Sequence, residues 1–132
     1  KFIDSNYKPI AKKQSRAICG LSMGGFHTLY ISLNNPDMFG YSGMFSAAIG
    51  VSDASVSPIY QDFDQKLATY FSKKPSLLWV GCGDTDFLIQ ANRDFIKKLQ
   101  DNNYPHEYLE NDGGHIWRNW RIYLTEFVPK LF

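Results

Sequence analysis

The 132-residue sequence has no strong excess of charge, no long apolar run and only two cysteines. Its formal net charge of +1 gives no electrostatic footprint for nucleic acid or an anionic membrane surface. No apolar run approaches the roughly 20 residues that cross a bilayer, so we expect neither a nucleic-acid nor a membrane partner. Cys19 and Cys82 lack the spacing of metal ligands. Each ends an apolar run, which predicts two buried thiols.

Aromatic residues are abundant instead, at 16% of the chain. Most of them must lie in a core, and a few are available to line a pocket. The length corresponds to one domain over residues 1–132.

The order of secondary-structure elements predicts an α/β fold. We expect strands over residues 16–21, 39–46, 76–80 and 105–109. Helices are expected over residues 4–13, 23–34, 59–71, 87–100 and 116–132, with a loop over residues 47–58. Strands that alternate with helices of this length form parallel sheets. Such folds place their chemistry beyond the carboxyl ends of the strands.

The stretch CGLSMGG contains the pattern G-x-S-x-G between a predicted strand and a predicted helix. This arrangement is typical of a nucleophile elbow, a strained turn that exposes the serine hydroxyl. It predicts Ser22 as nucleophile and the backbone N–H of Met23 as an oxyanion donor. We expect Gly20 and Gly24 to leave room where a side chain would strike a neighbouring element. The structural alternative is that these residues form only a tight strand-to-helix turn, without a nucleophile.

Three histidines are candidates for the base that a serine nucleophile needs. His27 follows Ser22 on the same helix, where we expect a helix-packing role. His106 is expected inside the fourth strand, far from its end. His115 follows two glycines in the loop beyond that strand and is therefore the predicted base.

The acid that orients His115 is expected in the loop after the third strand, since hydrolases of this kind run Ser, acid, His. Asp84 and Asp86 both lie there, and either is also a candidate to cap the next helix. The residues alone do not separate the two.

Three blocks carry a family resemblance: GLSMGGFHTLYISLNNPDMFGYSGMFSAA, VGCGDTDFLI and NDGGHIWRNW. In this order they resemble the esterase-D-like branch of the α/β-hydrolases, carbohydrate esterase family 1, over the chain from about Arg16 onward. The resemblance implies that Ser22 is the nucleophile, Asp86 the acid and His115 the base. It also implies acyl transfer through an acyl-enzyme, with no metal or organic cofactor.

Within that branch the sequence is most similar to feruloyl and acetyl-xylan esterases, which implies ester substrates on plant cell-wall polysaccharide. Trp117 and Trp120, together with Phe45 and Phe87, are candidates to contact an aromatic acyl group or a sugar ring. An enzyme of this kind is expected to be secreted or periplasmic. The alternative, a cytoplasmic location, belongs to S-formylglutathione hydrolase-like members.

The resemblance also implies that the catalytic domain extends further on the N-terminal side. The elbow strand is the fifth of eight in this fold, so about four strands and the loop with the second oxyanion donor are expected from a missing N-terminal half. We therefore expect the C-terminal part of an α/β-hydrolase domain with an open elbow-strand edge.

Three other functions remain open from the sequence. An acyltransferase would use the same three residues with a sugar acceptor instead of water. An S-formylglutathione hydrolase-like thioesterase would differ in its substrate. A carbohydrate-binding module would keep the scaffold without turnover.

Overall fold

The computed structural model describes residues 2–50 and 58–132 of the chain. Within these ranges four strands form one parallel sheet in the order β1-β2-β3-β4. The strands are β1 Ala17–Leu21, β2 Tyr41–Phe45, β3 Leu77–Gly83 and β4 Glu107–Asn111. The α-helices are α1 Phe2–Asn6, α2 Met23–Asn34, α3 Phe63–Ser72, α4 Ile89–Asp101 and α5 Trp117–Phe127. This is the expected four-stranded part of an α/β-hydrolase fold.

Alternating side chains of the strands divide the core into two layers. Leu78 and Val80 point to one face of β3, where they join residues of α2, α3 and α4. Trp79 points to the opposite face and packs with Tyr123 and Phe127 of α5. The sheet is therefore covered on both faces, as a parallel sheet requires.

Four predicted helices have different bounds in the structure, and the one expected over residues 87–100 is α4, Ile89–Asp101. The helix expected over residues 4–13 ends at Asn6, because Pro9 removes a backbone N–H and clashes with the preceding turn. The helix expected over residues 59–71 begins only at Phe63, after Asp62 adopts a left-handed conformation with φ 56°. The last helix ends at Phe127, and a 3₁₀ turn with Pro129 at its second position follows.

The strand predictions are close but shifted. β3 continues through Gly81, Cys82 and Gly83 beyond the expected end at residue 80, because glycine does not stop a strand that has neighbours on both sides. β4 begins at Glu107, so His106 precedes the strand, contrary to expectation. Part of the loop expected over residues 47–58 falls on residues 51–57, which lie outside the described residues.

The two cysteines differ from each other. Cys82 is buried, as expected, whereas the prediction for Cys19 is wrong because this thiol is exposed. Cys19 lies in the middle of β1, the strand at one edge of the sheet. Among the described residues no strand pairs with the other side of β1. Cys19 therefore lies on an edge strand and is exposed instead of buried.

Candidate active site

Ser22 occupies the turn between β1 and α2 with φ 54° and ψ −118°. A non-glycine residue rarely adopts a positive φ, and its cost must be offset by surrounding bonds. The Ser22 N–H donates to the Phe45 carbonyl at 2.8 Å, and the Ser22 carbonyl accepts from the N–H groups of Phe26 and Ala48. These three bonds fix the turn and leave the Oγ free of local backbone bonds.

The three glycines around Ser22 differ in how much space surrounds their α-carbons. A Cβ on Gly20 would lie 2.3 Å from the Gly24 carbonyl oxygen, and one on Gly25 would lie 2.8 Å from the Ala47 Cβ. These two positions therefore require glycine, so that α2 can pack directly on β1 and the loop after β2. For Gly24 the expectation is wrong, since no described atom lies within 4 Å of an added Cβ.

His115 lies between Ser22 and Asp86 in one chain of hydrogen bonds. Its Nε2 is 2.9 Å from Ser22 Oγ, and its Nδ1 is 2.9 Å from Asp86 Oδ2 and 3.1 Å from Oδ1. With the ring hydrogen on Nδ1, the imidazole donates to the carboxylate and accepts the serine hydroxyl at Nε2. The arrangement can thus withdraw a proton from Ser22 Oγ and stabilise the resulting imidazolium.

Asp84 and Asp86 bond to different parts of the His115 loop. The buried Asp86 carboxylate accepts from His115, and its Oδ1 also accepts the Leu88 N–H at 2.9 Å. Asp84 is exposed, and its Oδ1 accepts the Gly113 N–H at 2.9 Å. Only Asp86 contacts the imidazole, whereas Asp84 ties the backbone of the loop to β3.

The other two histidines lie apart from this chain of bonds. His27 is on the exposed side of α2 rather than in a helix–helix contact, with its ring centroid 6.1 Å from that of Phe26. His106 bonds through Nδ1 to the Tyr104 carbonyl at 2.7 Å, just before β4.

Asn119 is a site residue that sequence reasoning missed. Its side chain is completely buried; it donates to the Gly114 carbonyl at 3.1 Å and accepts from the Asn111 amide at 3.0 Å. Asn111 in turn accepts from the Tyr123 hydroxyl at 2.7 Å. An unpaired buried amide costs about 1–3 kcal/mol, so this network fixes the loop that carries His115. The sequence held no signal for it, because a single Asn in the first turn of an amphipathic helix is ordinary on a surface.

Gly83, at the end of β3, is in close contact with the loop that carries His115. A Cβ at this position would lie 1.9 Å from the Gly113 carbonyl oxygen. The backbone of the loop therefore rests directly on the strand. Gly83 is therefore required for space and not for an unusual backbone conformation.

Aromatic side chains surround the His115 ring. Trp120 meets it edge-on with centroids 4.9 Å apart, and its indole N–H donates to Ser46 Oγ at 3.2 Å. Phe87 meets the same ring at 4.7 Å. Contrary to expectation, Phe87 precedes α4 and is exposed rather than packed on its apolar face. Trp117 is exposed as well and packs on Trp120 at 5.1 Å.

The first backbone N–H groups of α2 lie next to Ser22. The N–H of Met23, as the first residue of this helix, has no acceptor within it. Helix N-termini also carry a partial positive charge that favours an anion. The Met23 N–H, adjacent in sequence to Ser22, is therefore available to an anion.

Cys82 lies beneath the site at the end of β3. Burial and the nearby Asp86 carboxylate raise the pKa of its thiol to about 12. The thiol therefore stays protonated at neutral pH and adds no charge beside Asp86. Within residues 2–50 and 58–132 no group of three His, Cys, Asp or Glu side chains is arranged to hold a metal ion. No helix of these same ranges is long and apolar enough to cross a bilayer.

The fold and the arrangement around Ser22 define the class of protein, an α/β-hydrolase. The Esterase family model matches residues 1–131. The chain belongs to this esterase family.

Individual relatives agree with this assignment. The chain is 31% identical over 131 residues to an endo-1,4-beta-xylanase/feruloyl esterase of Xylanibacter ruminicola, covering 98% of this chain and 16% of the relative. It is 28% identical to an acetyl esterase of Caldicellulosiruptor saccharolyticus, covering 89% of this chain and 54% of the relative. A ferulic acid esterase structure from Anaeromyces mucronatus, in complex with ferulic acid, has a TM-score of 0.81 at 25% identity. That match covers 99% of this chain and 50% of the other.

The matched relatives are longer than this chain. It spans about half the length of the acetyl esterase and of the ferulic acid esterase structure, and a smaller share of the xylanase/feruloyl esterase.

Proposed function

We propose that this chain carries the acyl-transfer site of a serine esterase acting on acyl esters of plant cell-wall polysaccharide. The observation that carries the proposal is the chain of hydrogen bonds from Ser22 Oγ through His115 to the buried Asp86 carboxylate. Family membership supports ester hydrolysis, and the relatives support feruloyl or acetyl groups as the acyl part.

The reaction would proceed in two halves. Ser22 Oγ attacks the ester carbonyl carbon while its proton passes to His115 Nε2, and the Met23 N–H stabilises the oxyanion. Asp86 stabilises the imidazolium. The tetrahedral intermediate collapses, the bond to the alcohol oxygen breaks, and His115 returns the proton to that oxygen. Water then attacks the acyl-enzyme with the same proton transfers and releases the acid.

One part of the oxyanion site is proposed to come from outside this chain. Serine hydrolases of this fold use a second backbone donor from a loop that precedes the elbow in sequence. Loss of one donor costs about 10²–10³ in rate. The greater length of the relatives and the open edge of β1 support an N-terminal half of the same domain as the source.

Trp117 and Trp120 have different proposed roles toward the substrate. Trp117 is available for contact because its side chain is 64% exposed. The half-buried Trp120 is hydrogen-bonded to Ser46 and packs edge-on against His115, so its proposed contact with substrate lies beside that ring. Since polysaccharide lies outside the cell, the proposal also implies a secreted or periplasmic enzyme.

The test is hydrolysis of methyl ferulate and of a small activated acetate by this chain and by its Ser22→Ala and His115→Ala variants. His27→Ala is the matched control, because it removes an exposed histidine five positions from Ser22. We expect turnover that both site variants abolish and the control retains. Turnover that survives Ser22→Ala would refute the mechanism. The ratio of the two rates separates a feruloyl from an acetyl esterase.

A further inference from the structure

Phe87 is an exposed aromatic residue in direct contact with the candidate base. Its side chain is 77% exposed, and its ring centroid is 4.7 Å from that of His115. It follows Asp86 immediately, so the same turn supplies the carboxylate and the aromatic ring. The turn lies after β3, two strands away from the open edge at β1. Phe87 therefore does not lie along that edge.

Other exposed apolar side chains lie on the remaining elements of the site. A single exposed apolar residue needs no explanation, but contiguous groups mark binding surfaces. The turn after β1, the turn after β3 and the start of α5 each contribute at least one: Met23, Phe87, Ile116 and Trp117, which are between 44% and 77% exposed. These four side chains, which we call the apolar rim, lie on or next to the segments that carry Ser22, Asp86 and His115.

The proposed reaction determines which part of the ester lies next to each residue of this rim. The acyl carbon is bonded to Ser22 Oγ, and the oxyanion faces the N-terminus of α2. The leaving oxygen must receive its proton from His115 Nε2, so the alcohol part of the ester lies on the imidazole side. A ring that packs against that imidazole is therefore on the alcohol side of the site.

We propose that Phe87 is a specificity residue for the leaving alcohol, and that this alcohol is a sugar whose C–H face packs on the Phe87 ring. This inference rests on the proposed function and specifies which half of its substrate Phe87 recognises. The face of an aromatic ring is negative and attracts the weakly positive C–H groups of a sugar.

The test compares two esters that share an acyl group and differ in the alcohol: methyl ferulate and a feruloyl ester of a pentose oligosaccharide. Phe87→Leu keeps an apolar side chain and removes the ring. Phe132→Leu is the control, since Phe132 is 74% exposed and packs on Tyr41 at the opposite end of the strands. We expect Phe87→Leu to lower the kcat/KM of the sugar ester about three- to tenfold relative to methyl ferulate. The control should leave the ratio unchanged.

An equal effect of Phe87→Leu on both esters, or no effect, would overturn the inference while leaving the esterase proposal intact. A second measurement covers the case in which the unaltered chain hydrolyses neither ester. The unesterified pentose oligosaccharide is titrated into the Ser22→Ala chain while the His115 ring resonances are followed by NMR. Saturable shifts would support the packing of a sugar on Phe87 if Phe87→Leu weakens the affinity they report about three- to tenfold. Absent shifts, or equal binding by the variant, would overturn it.

Discussion

Asp84 and Asp86 lie two positions apart on one turn, yet each supports a different part of the His115 loop. The Asp86 carboxylate accepts a hydrogen bond from Nδ1, which leaves Nε2 to accept one from the Ser22 hydroxyl. Asp84 holds only the Gly113 backbone. An amide can therefore replace the carboxylate of Asp84, which accepts only a backbone N–H. It cannot replace that of Asp86, which accepts from the imidazole.

At this scale we expect Asp86→Asn to lower kcat by about 10⁴, because an amide N–H facing Nδ1 favours the wrong imidazole tautomer. Asp84→Asn is the matched control, since its amide oxygen can still accept the Gly113 N–H. Both rates are measured on methyl ferulate, with the free energy of unfolding from urea denaturation beside them. A larger loss of kcat in Asp84→Asn than in Asp86→Asn would contradict the assignment of the acid.

At the scale of elements, the contact between β1 and α2 depends on one glycine of the G-x-S-x-G pattern and not on the other. We expect Gly20→Ala to cost about 1–3 kcal/mol of stability, because its Cβ overlaps the Gly24 carbonyl and pushes α2 from the strand. Activity should fall with it, since Ser22 Oγ moves relative to His115.

Gly24→Ala is the internal comparison for the same contact. In α2 it meets no described atom within 4 Å, and alanine is favoured over glycine in a helix by about 0.5–1 kcal/mol. We expect equal or higher stability in urea denaturation, with activity retained. Equal destabilisation by the two substitutions would show that the contact of Gly20 with Gly24 does not govern the elbow.

The elements that sequence patterns predicted well are those with strong local signals. α2 has the expected bounds because an elbow precedes it and Asn35-Pro36 follows it. The proximity of Ser22 and His115 was predictable, since each follows a strand at the same sheet edge. The choice between Asp84 and Asp86 needed side-chain directions, and only the family resemblance supplied it beforehand. The buried amide of Asn119 and the exposure of Phe87 depend on tertiary contacts, which periodicity does not encode.

At the scale of the whole molecule, helices cover both faces of the sheet, and no strand within residues 2–50 and 58–132 pairs with the outer side of β1. Parallel strands are normally buried within a sheet, and an unpaired edge is a template for another strand. Exposed apolar side chains of α1, among them Phe2 and Ile3, precede this strand in the chain. The chain by itself therefore presents an edge that a further strand of the same domain, or a second copy, can cover.

We expect the isolated 132-residue chain to self-associate through β1 as its concentration rises. Cys19→Lys should reduce this association, because a charged side chain on an edge strand opposes pairing, whereas Cys19→Ser should not. Sedimentation velocity under reducing conditions measures the association without disulfide formation. Thiol labelling gives a second view: Cys19 should react in the native monomer and become protected on association, while buried Cys82 reacts only after unfolding. A monomer at every concentration, with Cys19 fully reactive throughout, would mean that the helices on the two faces suffice to isolate this edge.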